Sequence, residues 1–219
     1  MTEAEWLNCA DPQKMLQFLR NKTSQRKVRL FNAAVCRRFW DYLPEASQAI
    51  LVKSELLADG LVQPISDGME LCSLANAVVA PFDRQYPTKQ FPSREVRIQR
   101  DAAAAVCYAV IPNELWGAAS YFWDIDQTEK AAHSVIIRDV FGNPSRPVPV
   151  DPYWLEWNNA TIPKLAQTIY NERAFDRLPV LADALEDAGC DNADILSHCR
   201  SAEQHVRGCW VVDLLLGKE

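Results

Sequence analysis

Apolar residues in this chain recur at three- and four-residue steps, and nowhere do they sustain the two-residue alternation of a half-buried strand. Met15, Phe18 and Leu19 make one such stripe, and Val28, Phe31, Val35, Phe39 and Tyr42 make another. Start and stop signals bracket these runs. Thr2-x-x-Glu5 reads as a capping box, Asp11-Pro12 as a cap with proline in the first turn, and Ser24 as the cap of a longer helix that Pro44 limits. A helix from about Ala46 to Asp59 stops at Gly60, and the next, from Ser66 towards Ala80, breaks at Pro81. Ser93 opens a helix to Ile111. Pro112-Asn113 interrupts it, and helix resumes through LWGAASYFW to Val140-Phe141 and the stop Gly142-Asn143-Pro144.

The prolines of Pro144 to Pro152 make that stretch extended, and Asp151-Pro152 restarts a short aromatic turn, YWLEW. Helix follows from about Thr161 to Glu172. The last part of the chain reads as three helices: one around Leu178, Leu181 and Leu185 closed by Gly189, one from Asp191 to Arg200, and one from the capping box Ser201/Gln204 to Leu216. The expected fold class is therefore all-α, a compact array of roughly eight to ten helices. Its three-helix C-terminal unit is expected to pack around Val206, Trp210 and Leu214, with Leu181, Leu185 and Ile195 facing them. The whole of 1–219 reads as a single all-α domain. The proline-rich segment Pro81 to Pro92 is the best internal boundary, giving a possible subdivision into 1–80 and 93–219.

Composition narrows the function classes. A net charge of -6 and a pI near 5.2 argue against a nucleic-acid binder that works by neutralising phosphates. The basic stretches Arg20 to Leu30 and Cys36 to Arg38 read as solvated helix faces. No apolar run reaches the length of a membrane span, and the acidic opening MTEAEWL is no secretion signal. Seven cysteines, an odd number scattered through helical segments, fit reduced buried thiols in a cytoplasmic protein.

The opening MTEAEWLNCADPQKMLQFLRNKTSQRKVRLFNAAVCRRFW, the middle RDVFGNPSRPVPVDPYWLEWNN and the ending RAFDRLPVLADALEDAGC through HVRGCWVVDLLLGKE resemble an uncharacterised family of planctomycete-type bacterial proteins. The resemblance implies no activity, cofactor or catalytic residue. It implies a portable interaction or regulatory unit, since the ending occurs beside other modules in that family.

Chemically able side chains crowd together in one place. Cys190, His198, Cys199, His205 and Cys209 read C-x7-H-C-x5-H-x3-C, a set from which four soft or borderline ligands can be drawn for zinc. The packing reading, small buried thiols among apolar residues, competes with it. On a continuous last helix His205, Cys209 and Asp213 stand at i, i+4 and i+8, the residue types of a thiol nucleophile, base and orienter for a hydrolase or thiol-dependent enzyme. Side chains on one helix do not adopt that geometry readily, so Asp213 also reads as a buried carboxylate paired with Arg200 or Arg207. The acidic run Asp176, Asp183, Glu186 and Asp187 reads as a solvated face.

No phosphate loop, G-x-S-x-G or H-E-x-x-H is present. The dense aromatics Trp116, Tyr121, Phe122, Trp123, Tyr153, Trp154 and Trp157 read mainly as core. RPVPVDPYWLEW, however, clusters residue types that anchor interfaces: Arg146, Tyr153, Trp154 and Trp157. The leading expectation is thus a non-enzymatic helical module with a protein partner and without nucleic acid or membrane. The zinc-stabilised module and the enzyme using His205, Cys209 and Asp213 stand as alternatives.

Overall fold

The computed structural model describes residues 1–62, 64–111, 117–123 and 127–218, with backbone alone for 64–68 and 127; no strand occurs among them. In chain order the helices are α1 (Glu3–Asn8), α2 (Pro12–Leu19), α3 (Gln25–Arg37), α4 (Glu45–Ala58), α5 (Pro64–Gln85), α6 (Arg94–Val110), α7 (Gly117–Trp123), α8 (Gln127–Phe141), α9 (Pro152–Glu172), α10 (Leu178–Asp187), α11 (Ala193–Cys199) and α12 (Trp210–Leu215), with 3₁₀ turns at Trp40–Tyr42 and Phe175–Arg177. The all-α class is what the periodicity required. No described helix is long and apolar enough to cross a membrane. The Pro112-Asn113 break and Trp116 lie outside the described residues.

Side-chain caps account for several helix starts. Thr2 Oγ1 accepts from the Glu5 amide while Glu5 Oε2 accepts from the Thr2 amide at 2.7 Å, a reciprocal capping box. Asp11 caps α2 through the Gln13 and Lys14 amides, Ser24 caps α3 through Lys27, and Ser93 caps α6 through Val96. Two starts and stops differ from expectation. Helix α5 runs through Pro81 to Gln85, although proline there removes one helical hydrogen bond and crowds the carbonyl four residues back. The last helix is only six residues long, and 201–209 are irregular. Ser201 Oγ accepts from the Glu203 amide two residues on, and Gly208 takes φ +96°, which no right-handed helix admits.

The chain divides into two compact units, one of Cys9–Ser134 and one of Met1–Asn8 with Val135–Glu219. In the first, α6 packs against α3, α4, α5 and α7. Ala102 to Ala105 are all buried, and their small side chains let the neighbouring helices approach closely. The final carbonyls of α6 have no helical partner, so others serve them: Ser54 Oγ donates to Ala109 O at 2.9 Å and Arg29 Nη1 to Val110 O at 3.0 Å. Arg37 and Arg38 form two-pronged ion pairs with Glu55 and Glu129, at 2.7 and 2.8 Å and at 2.7 and 2.9 Å.

In the second unit, Leu178, Leu181, Leu185, Ile195 and the apolar face of α9 (Ile162, Ala166, Ile169) close one core. The face that α12 buries is Val211, Val212 and Leu215, while Trp210 and Leu214 sit at its edge. The expected Val206–Trp210–Leu214 stripe assumed a helix already running at 201. Trp154 is a core residue, 8% exposed. Helix α1 belongs to this unit: Trp6, 1% exposed, donates its indole N–H to Gly142 O at 2.9 Å.

His133, in the first unit, is fully buried. Trp123 Nε1 donates to its Nδ1 at 2.9 Å, which leaves the proton on Nε2, 3.6 Å from Glu129. Burial pushes its pKa down to about 4, against the pull of Glu129. An unfolded chain takes up this proton near pH 6.5 and the folded one does not. Stability is therefore intact above about pH 6.5 and declines towards pH 4, by roughly 3 kcal/mol from this residue. Urea denaturation across that range should show a shallower acid decline for His133→Gln, which keeps an acceptor for Trp123; parallel pH curves would contradict the assignment.

Candidate metal centre

Four donor side chains from separate parts of the second unit converge: Asp139 near the end of α8, His198 near the end of α11, His205 in the irregular segment and Cys209 at the start of α12. One ligand atom from each lies within 4.8 Å of all the others. Asp139 Oδ1 stands 2.6 Å from His205 Nδ1 and 3.1 Å from His198 Nε2. The same His198 nitrogen is 3.2 Å from Cys209 Sγ. The two imidazoles meet edge to face with centroids 4.8 Å apart, and the Trp210 ring lies 5.2 Å from that of His198.

Local structure explains the convergence. The irregular stretch before α12 frees His205 to turn back onto α8, and the Val206 amide donates to Asp139 Oδ2 at 2.8 Å. Asp139 thus uses one oxygen to fix the segment and offers the other to the centre. Gly142 follows the end of α8 at φ +62°, and a Cβ there would lie 3.1 Å from Trp210, so glycine lets the indole close over this end.

Burial would raise the Asp139 carboxyl, but hydrogen bonds from His198 and His205 outweigh it and hold its pKa below the ordinary carboxylate value. Burial would lower His205, and its bond to Asp139 instead raises it. Burial, and then the charge of Asp139, push the Cys209 thiol well above its usual value. The Nε2 of His205 is buried without a hydrogen-bond partner.

Of the five residues expected to supply zinc ligands, the structure brings His198, His205 and Cys209 together; Cys190 and Cys199 pack into the core of the unit instead. Burial pushes the Cys199 thiol up to about 12. Sequence reasoning missed Asp139, which lies 59 or more residues before the other three, with no local spacing to mark it. The His205–Cys209–Asp213 stripe does not form, because 201–209 are not helical. Asp213 is buried on α12, outside the cluster, and Arg200 pairs with Asp183 and Glu186.

The expected partner surface also divides. Tyr153 is exposed, Trp154 is core, and Trp157 packs against the core where α9 kinks into left-handed backbone at Asn158 to Ala160. Arg146 pairs with Glu3 at 2.9 Å and Asp194 at 3.2 Å. These residues border a cleft of about 290 Å³ with Trp6, Trp210 and His198 on its walls, so the cluster has an approach from solvent.

Comparison with known protein families, with curated proteins and with solved structures finds no match to this chain.

The geometry separates two chemistries. A Cys-His-Asp relay needs the thiol on one imidazole nitrogen and the carboxylate on the other. Here Nε2 of His198 faces both. Sulfur, nitrogen and oxygen gathered within 4.8 Å of one another are a set that could hold a cation. A fully buried thiol of raised pKa is also a poor nucleophile. In native protein at about pH 8, iodoacetamide should label the partly exposed Cys9 and Cys72 well before Cys209. Peptide mapping that finds Cys209 among the first residues alkylated would favour the thiol enzyme.

Proposed function

We propose that the unit of Met1–Asn8 and Val135–Glu219 is a non-enzymatic helical module stabilised by zinc, with Asp139, His198, His205 and Cys209 as ligands. The observation that supports it is the convergence of these four buried or partly buried donors within 4.8 Å of one another. Two imidazoles, a thiolate and a carboxylate form a borderline-soft set suited to zinc. Two of the ligands are anionic, so a divalent ion gives a buried cluster of zero net charge. Four protein ligands complete a tetrahedron without an open position, which is the mark of a structural ion. The ion would then fasten the irregular segment 201–209 to α8 and α11, and the module would act by binding a protein partner.

Protein produced in zinc-supplemented medium should carry about one zinc per chain, and chelation should lower its melting temperature by several degrees. Asp139→Asn and Cys209→Ser should lose the metal, while Cys190→Ala and Cys199→Ala should keep it. Cobalt substitution should give sulfur-to-metal charge transfer that Cys209→Ser abolishes. Metal-free protein whose melting does not respond to added zinc would refute the reading.

A further inference from the structure

In the unit Cys9–Ser134, a cavity of about 400 Å³ opens where the loop after α5 meets α6 and α7. We propose that this cavity is a binding site for a small anion carrying a planar ring, with a phosphate or carboxylate held by Lys89 and Arg97 and the ring lodged against Phe91, Tyr108 and Tyr121. The volume falls within the range of small-molecule sites.

The charge of the lining runs against that of the chain. Three cations, Lys89, Arg97 and Arg100, face it with one carboxylate, Asp101, in a protein of net charge -6. That carboxylate is already engaged: Arg100 Nη1 holds Oδ1 at 3.1 Å, and Arg97 Nε lies 3.4 Å from Oδ2. Arg100 is further fixed by Asp83, whose Oδ1 accepts from both its Nε and Nη2 at 3.0 Å. It forms a rigid floor whose charge Asp83 and Asp101 balance, so the charge for an anion comes from Lys89 and Arg97.

Arg97 is half exposed and engages Asp101 through Nε, which leaves its two terminal nitrogens for an external anion. Lys89 is set at the cavity by a turn in which its amide donates to Tyr86 O at 2.9 Å, with φ +57°.

The aromatic wall is also built. Tyr108 and Tyr121 lie 5.5 Å apart and tilted by 44°, and the Arg100 guanidinium lies 5.9 Å from the Tyr121 ring. A Cβ at Gly117 would fall 2.1 Å from Tyr108 Cδ1, so the tyrosine takes this place only because residue 117 is glycine. Phe91 stands on the loop side, 5.4 Å from Tyr86.

Titration of the full chain with AMP and with benzoate tests the site, with adenosine and inorganic phosphate as half-ligands. At least one ring-bearing anion should bind with a Kd of about 1 mM or tighter, and both half-ligands at least about tenfold more weakly. Lys89→Gln and Arg97→Gln should each weaken binding about three- to tenfold with an unchanged circular dichroism spectrum, while Lys14→Gln, outside the lining, should not. A preference for AMP identifies the anion as phosphate and one for benzoate as carboxylate; either supports the site. No binding of AMP or benzoate at about 10 mM, binding no tighter than that of phosphate alone, or Lys89 and Arg97 variants that bind as wild type would overturn it.

Discussion

A carboxylate buried in a protein interior must be answered by donors, and in the second unit that carboxylate is Asp139. Its Oδ2 accepts the Val206 amide and its Oδ1 draws in both His198 and His205. Segment 201–209 has little regular structure of its own, so this acid substitutes for helical hydrogen bonds. The segment's path also fixes Cys209 at the start of α12 and lays Trp210 against Gly142. The donor cluster and the closing of the last helices are therefore consequences of one desolvated charge. A divalent ion at the centre would share the task of neutralising it.

The first unit solves a different problem, that of packing one helix among several. Helix α6 meets four others, and close approach demands small side chains, supplied by Ala102 to Ala105. Its C-terminal carbonyls end inside the protein and would be costly if unanswered. Ser54 and Arg29 answer them from α4 and α3, so the same bonds that complete α6 also fix its neighbours. His133, held through Nδ1 by the Trp123 indole, is kept neutral by its burial.

The two chemistries expected for the C-terminal cysteines and histidines differ in direction more than in composition. A relay strings its groups in series through an imidazole, and a metal site points them at a common centre. The shared position of His198 Nε2 against both Cys209 and Asp139 is what supports the proposal of the second pattern. On the proposed zinc reading, one thiolate and one carboxylate would balance the charge of a divalent ion.

Fold class and several helix starts were determined by the sequence itself. The reason is that a Thr-Glu capping box, Asp11, Ser24 and Ser93 act on amides two or three residues away, and the apolar steps of three and four encode a helical face locally. Gly208 was the local sign that the last helix could not begin at Ser201, and missing it misplaced both the buried face of α12 and the His205–Cys209–Asp213 stripe. Three members of the donor cluster were legible as a crowd of histidine and cysteine. Which of them converge was not, because Cys190 and Cys199 are the same residue type as Cys209 and differ only in which way the core receives them. Asp139, distant in sequence and flanked by ordinary helical residues, carries no local mark of its role. Only tertiary packing decided it, by burying that carboxylate where the returning chain had to supply its partners.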